Sequence, residues 1–145
     1  MLNEIIFYSL EKTIKRYRQF AQANINRAGI DITIDQWLVL NVILEFPELG
    51  QAEIAEHVFK DQASVARIID LLVKKELLAR TTSSADRRKV DMRPTDAGHQ
   101  LISAVAPIIQ QNRETALQGL QETESQQLKQ TLERIFSNCS IIPTT

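Results

Sequence analysis

The segment DQASVARIIDLLVKKELLARTTSSADRRKVDMRP, residues 61–94, carries two periodicities in succession, and the change between them decides the fold. In its first half Val65, Ile68, Ile69, Leu72 and Val73 fall at i, i+3, i+4, i+7 and i+8, the spacing of one helix face over about Gln62 to Lys75. Asp61 stands where a carboxylate can cap the first turn. At about 100° per residue, Ala63, Ala66, Arg67, Asp70 and Lys74 lie on the opposite face. One face therefore docks on a core, while the other is slim near its start and carries a long guanidinium in its middle. In the second half the period becomes two. Leu77 to Thr82 is rich in strand formers, and Lys89 to Arg93 alternates, with Lys89, Asp91 and Arg93 outward and Val90 and Met92 inward. The polar stretch Ser83 to Arg88 between them makes the pair a β-hairpin, with Arg87, Arg88 and Lys89 at or beside its tip.

Upstream, Ile6, Leu10, Ile14, Tyr17 and Ala21 form a stripe on one long helix over 2–27, and Gly29 ends it. Lys12, Lys15, Arg16 and Arg18 lie mostly off that stripe and read as a solvated face. Thr33-Ile34-Asp35-Gln36 has the form of a capping box and opens a helix carrying Trp37, Leu38, Leu40, Val42, Ile43 and Leu44, which must stop before Pro47. A short helix over about Gln51 to Val58 presents Ile54, Ala55 and Val58, and Phe59-Lys60 is a tight connection to the helix over 62–75. Downstream, Thr95 caps a helix running through Leu101, Ile102, Val105, Ile108 and Ile109 to about Leu120, with Pro107 expected to kink it. Thr123 to Gln126 reads as a second capping box, before a last helix with Leu128, Leu132, Ile135 and Phe136. The fold class is thus mainly α with a small β-hairpin wing, in the order α-α-α-α-β-β-α-α: a winged helix-turn-helix over 31–94, with a helical dimerisation region formed by 1–30 and 95–145. The outer helices carry apolar stripes that need a partner, and a two-fold homodimer is the commonest way to supply one.

Composition narrows the function. At 145 residues, 43% hydrophobic and 24% charged, the chain can bury a sizeable core without disulfides or metal. Its single cysteine, Cys139, excludes a disulfide scaffold and a cysteine-cluster zinc site. The apolar run Ile5 to Leu10 is short and flanked by Glu4 and Glu11, so it reads neither as a secretory signal nor as a membrane span, and the expected location is the cytoplasm. His57 and His99 are the only histidines and fall in different helices. No P-loop, nucleophile elbow, His-Glu-x-x-His or dinucleotide-binding turn occurs, so the sequence does not read as an enzyme and implies no cofactor. Net charge is −1, but its distribution is uneven: −3 over 1–59, +4 over 60–93 and −2 over 94–145. A basic block folded onto one face can meet a polyanion.

A helix that enters the major groove needs a slim exposed face with a few long donors. The cationic hairpin tip has the chemistry to reach phosphates or a narrow minor groove, and Asp86 can hold one arginine by a carboxylate–guanidinium pair. An ordinary amphipathic helix and a solvated charged loop are the plain alternatives to each feature alone. In tandem they favour duplex DNA. The rivals are a winged helix that docks on protein without touching DNA, and a metal sensor built on His57, His99 and carboxylates.

The sequence also resembles the MarR family of regulators. The resemblance rests on ITIDQWLVLNVILEFPELGQAEIAEHV (Ile32–Val58), on Ser64 to Leu72 as a recognition helix, on Asp86-Arg87-Arg88 as a wing tip and on Pro94 to Gly98 as the start of the fifth helix. It implies a dimeric repressor or activator on a pseudo-palindromic site, released in many members by a small ligand or by cysteine oxidation. By position it implies base-facing Gln62, Ala63, Ser64 and Arg67, a wing contact from Arg88 held by Asp86, and Arg87 and Lys89 beside phosphates. It places the effector between arms and lobe, with Arg16, Tyr17, Trp37 and Asn41 as candidates and a small aromatic or anionic molecule as the ligand. Two departures stand out. Ala66 replaces a common threonine, and Glu76 replaces a common glycine at a left-handed helix end, a cost of about 1 kcal/mol if that conformation is kept. The oxidation-sensing members use a cysteine in the first helix, where this chain has none; Cys139 reads as an inert or partly buried thiol.

Overall fold

Local capping sets the helix starts. In the computed structural model, which describes residues 1–82, 86 and 90–140, a short 3-10 turn at Leu2–Glu4 precedes α1 (Ile6–Arg27). The single helix expected over 2–27 is thus interrupted at Ile5, whose backbone is extended. The next helix, α2 (Ile34–Glu45), begins with the expected box: the Thr33 hydroxyl accepts the Gln36 N–H at 3.0 Å, and Gln36 Oε1 accepts the Thr33 N–H at 3.2 Å. α3 spans Gln51–Val58 and α4 spans Gln62–Lys74, with Asp61 Oδ1 accepting the Ser64 N–H at 2.8 Å. β1 (Leu78–Thr82) and β2 (Val90–Pro94) pair antiparallel, Leu78 opposite Pro94 and Thr82 opposite Val90. α5 runs Asp96–Ala116 with Pro107 inside it, and α6 runs Glu122–Asn138. This is the mainly helical winged fold expected from the sequence.

Several local expectations are corrected. α5 stops at Ala116, short of Leu120, because the chain turns there: Leu120 N–H returns to the Leu117 carbonyl and Gly119 has φ +87°. The cap of α6 is Gln121, not Thr123, because the Glu124 carboxylate reaches back to the Gln121 N–H at 3.1 Å. Val90 was expected inward but is 52% exposed. It lies opposite Thr82, at the far end of the ribbon, whereas the buried ribbon residues, Leu78 and Met92, lie nearer the core. Cys139 is exposed.

The chain forms two compact units, one of residues Met1–Asn112 and one starting at Arg113. Within the first, the main core joins Val39, Leu40 and Ile43 of α2, Ile54 and Val58 of α3, Val65, Ile69 and Leu72 of α4, and Leu78 and Met92 of the ribbon. A second cluster joins Ile25, Ile32, Val105 and Ile109. The N-terminal part of α1 leaves Ile6, Phe7 and Ile14 exposed, and α6, in the second unit, exposes Leu128, Leu132 and Phe136.

Two non-glycine residues adopt the left-handed conformation, Phe59 and Glu76, both with φ +60°. Glu76 therefore takes the conformation that a glycine would suit. Its carbonyl accepts the Thr95 hydroxyl at 2.7 Å, and that hydroxyl in turn accepts the Gly98 N–H at 3.0 Å, so the α4–β1 turn is welded to the start of α5.

Candidate nucleic-acid interface

α4 is anchored by its apolar face and presents the other. Gln62, Ala63, Arg67, Asp70 and Lys74 are exposed, while Ser64 and Ala66 are half-buried. The start of this face is internally hydrogen bonded: Ser64 donates its N–H to Asp61 Oδ1 and its hydroxyl to Asp61 Oδ2, both at 2.8 Å. Arg67 Nη2 lies 3.4 Å from the Ser64 hydroxyl. The Ser64 hydrogen bonds hold the Asp61 carboxyl below the usual carboxylate range. Farther along, Asp70 Oδ1 accepts from Arg80 Nη1 at 2.8 Å and so ties this face to β1. The four residues expected to read bases, Gln62, Ala63, Ser64 and Arg67, thus fall on one short stretch of helix with nothing bulky among them.

The described strands of the ribbon end at Thr82 and begin again at Val90. Arg87, Arg88 and Lys89 lie outside the described residues, and so does the expected hold of Asp86 on Arg88; Asp86 itself is exposed.

The positions suggested for an effector are spread differently. Arg16 is exposed and Tyr17 half-buried on α1. Trp37 packs against the second apolar cluster, and Asn41 donates its amide to the Trp37 carbonyl at 2.8 Å. None of these four lines the groove of about 420 Å³ between the later half of α1 and the start of α2, which is formed by Arg18, Gln19, Gln22, Ala23, Asn26 and Thr33 to Asp35.

A junction beside this groove was missed by sequence reasoning. Arg18, read as a solvated charge, is half-buried and donates to Asp35 Oδ1 at 2.5 Å. Lys60 Nζ reaches the other oxygen, Oδ2, at 3.2 Å. Burial raises the Asp35 pKa, but the two cations outweigh it and hold the carboxyl below its ordinary range.

His57 is exposed, with Nδ1 3.0 Å from the Glu53 carbonyl and its ring 5.2 Å from that of Phe46. Among the described residues no group of three or more His, Cys, Asp or Glu side chains is placed to hold a metal ion, and no helix is long and apolar enough to cross a membrane.

Residues 30–89 match the sequence model of the MarR family. A protein of unknown function from Listeria innocua Clip11262 is 31% identical, over 92% of this chain and 91% of that one, with a TM-score of 0.69. BpsR of Bordetella bronchiseptica, whose DNA binding is regulated by 6-hydroxynicotinic acid, is 25% identical over 91% of this chain and 93% of its own, with a TM-score of 0.82. MepR of S. aureus, solved in complex with DNA, shares the fold at 24% identity and a TM-score of 0.82, over 92% of this chain and 98% of that one.

Proposed function

Because this chain belongs to the MarR family of winged helix DNA-binding transcriptional regulators, we propose that it represses transcription as a homodimer bound to a pseudo-palindromic operator. In this reading each protomer sets α4 into a major groove, with Gln62, Ala63, Ser64 and Arg67 toward the bases. Arg88, steadied by Asp86, enters the flanking minor groove, and Arg87 and Lys89 neighbour phosphates. Residues 31–94 are the DNA-binding lobe, and 1–30 with 95–145 the dimerisation region. The exposed apolar side chains of α1 and of α6 support pairing with a second copy. A small aromatic or anionic effector releases the DNA through Arg16, Tyr17, Trp37 and Asn41; the regulation of BpsR by 6-hydroxynicotinic acid supports that ligand class. The protein works in the cytoplasm.

The observation that carries this reading is the exposed face of α4: small side chains at its start, Arg67 in the middle, and a buried apolar face holding the helix firmly enough to be inserted. The test is binding to duplex fragments selected by the protein itself. Arg88→Ala weakens binding by about 1–3 kcal/mol at every sequence and flattens the salt dependence by about 0.9 in log–log slope for each phosphate no longer neutralised. Arg67→Ala costs a similar amount but relaxes base choice. Unchanged affinity in both variants refutes the DNA-binding face. For the effector, a thermal-shift panel of aromatic acids gives a concentration-dependent rise in Tm that Trp37→Ala abolishes; a panel without any response refutes that ligand class.

A further inference from the structure

The recognition helix is held at both ends by polar contacts that lead to the first turn of α2. Ahead of its start, Lys60 immediately precedes the N-cap Asp61 and is paired with Asp35 at 3.2 Å. Past its end, Lys75 Nζ donates to Gln36 Oε1 at 3.2 Å and to the Asp31 carbonyl at 3.1 Å. Asp35 and Gln36 are adjacent residues. The first of them also receives Arg18 from α1, while Gln22, one turn farther along α1, donates to the Ile32 carbonyl at 2.9 Å and accepts the Ile34 N–H at 3.0 Å.

Apolar packing alone fixes how deep α4 sits but is non-directional. Close packing holds the helix on the core but sets its exact azimuth and axial position less sharply than directional bonds do, and a displacement of about 1 Å is enough to spoil a positioned contact. Directional ties at the two ends sharpen both. Asp35 is the one residue of the set that grips both α1 and the chain entering α4. Its side chain is 28% exposed, Lys60 32% and Arg18 42%, so solvent weakens these pairs without removing them.

We propose that Asp35 is a positioning residue for DNA recognition: through Lys60 it fixes the start of α4 relative to α1, and so decides whether Ser64 and Arg67 arrive in register with the bases. The proposal rests on the DNA-binding reading above. Its distinguishing consequence is that Arg18, which lies on α1 and outside the recognition face, affects base discrimination and does so only through Asp35.

The test compares wild type, Asp35→Asn, Arg18→Gln, Lys60→Met and the Arg18→Gln/Asp35→Asn pair on two duplexes, one selected from random sequence by the wild type and one scrambled. Urea midpoints confirm that each variant is folded at the assay temperature. The expected result is that Asp35→Asn narrows the selected-to-scrambled affinity ratio by about three- to tenfold, while scrambled-duplex affinity and its salt slope stay as in wild type. Arg18→Gln narrows the ratio as well, but adds nothing in the Asp35→Asn background. A merely structural role would lower the urea midpoint and leave the ratio of the folded protein intact, and that outcome overturns the proposal. So does tighter binding by Asp35→Asn with a steeper salt slope, which would mean that the carboxylate withholds Lys60 from phosphates. So does an Arg18→Gln effect that persists in full without Asp35. If Lys60→Met lowers scrambled-duplex affinity and the salt slope, Lys60 itself neutralises a phosphate and the positioning role fails. A wild-type protein with no preference between the duplexes overturns the DNA-binding reading, a result separate from all of these.

Discussion

Glu76→Gly removes a charged side chain from the surface and should nevertheless stabilise the protein. Glu76 stands at the left-handed end of α4, with φ +60°. An L-residue held there costs roughly 1–2 kcal/mol from the approach of its Cβ to the backbone. Glycine avoids that cost but loses about 0.4–1 kcal/mol through the greater freedom of the unfolded chain. The backbone bonds of the turn, Glu76 N–H to the Val73 carbonyl at 2.9 Å and Thr95 Oγ1 to the Glu76 carbonyl at 2.7 Å, survive the change. The net gain is therefore about 0.5–1 kcal/mol, or a rise in Tm of about 1–4 °C for a chain of this size. Urea unfolding at fixed protein concentration measures it, with the midpoint rising and the slope unchanged. Gly29 supplies the mirror experiment. It has φ +75°, and a Cβ built on it meets nothing within 4 Å, so Gly29→Ala loses about as much as Glu76→Gly gains, with no packing contribution. If Glu76→Gly lowers the midpoint, or both changes move it in the same direction, the backbone argument is wrong.

Gly98→Ala is far more disruptive than the usual exchange of glycine for alanine in a helix. The new methyl would sit 2.2 Å from the Leu77 carbonyl oxygen, which also accepts the Thr95 N–H at 3.1 Å, so the α4–β1 turn must move away from α5. A loss of about 1–3 kcal/mol in urea unfolding is expected, and a gain would show that the approach is loose. Asp35 should also shape the acid limb of the stability curve. Its folded pKa is lowered by Arg18 and Lys60 against the opposing effect of burial, so its contribution is complete above its ordinary pKa and disappears as pH falls through the lowered folded value. Urea midpoints of wild type and Asp35→Asn should therefore differ most near neutrality and converge toward acid; a constant gap at every pH would rule out titration of this pair.

What could be read from the sequence was local. The Thr33–Gln36 box, the Asp61 cap and the Thr95 cap each involve residues three apart, and each forms where the spacing places it. The buried face of α4 was legible for the same reason, because five apolar side chains share one helical period. Where two local solutions competed, the sequence did not choose between them: residues 121–126 offer both Gln121-x-x-Glu124 and Thr123-x-x-Gln126, and the carboxylate-bearing pair forms. Val90 alternated correctly, yet alternation says only which side of the ribbon a residue takes, not how far the core extends beneath it. The Asp35 junction was illegible in principle. It joins Arg18, Asp35 and Lys60 across 17 and then 25 positions, and a lone arginine off an apolar stripe has no local sign that a distant carboxylate will meet it. Phe59 carries no warning either, since a left-handed turn is usually announced by glycine or asparagine. The residues proposed to read bases were legible only as positions on a face, and the hydrogen bonds of Ser64 to Asp61 and Arg67 depend on side-chain placement that spacing does not fix.

That bonding has an electrostatic consequence for affinity. A bare helix start offers roughly half a positive charge to a phosphate, but Asp61 sets a carboxylate there, and the Ser64 hydrogen bonds hold that carboxyl below its usual range. On the DNA-binding reading proposed above, α4 approaches DNA with its own dipole opposed, and attraction has to come from elsewhere on the lobe, with Arg67, Arg87, Arg88 and Lys89 as the proposed sources. Asp61→Asn separates the two roles of this residue. Asparagine caps a helix about as well as aspartate, so the Ser64 N–H keeps an acceptor and the urea midpoint should scarcely move. The like charge facing the phosphates is gone, however. At about 8 Å in water one unit charge is worth roughly 0.5 kcal/mol, so affinity for scrambled duplex should rise about two- to fourfold at low salt, and the gain should shrink as the Debye length falls toward 3 Å at about 1 M salt. If scrambled-duplex affinity at low salt is unchanged or falls while the fold is intact, Asp61 does not face the phosphates, and the start of α4 does not enter the groove.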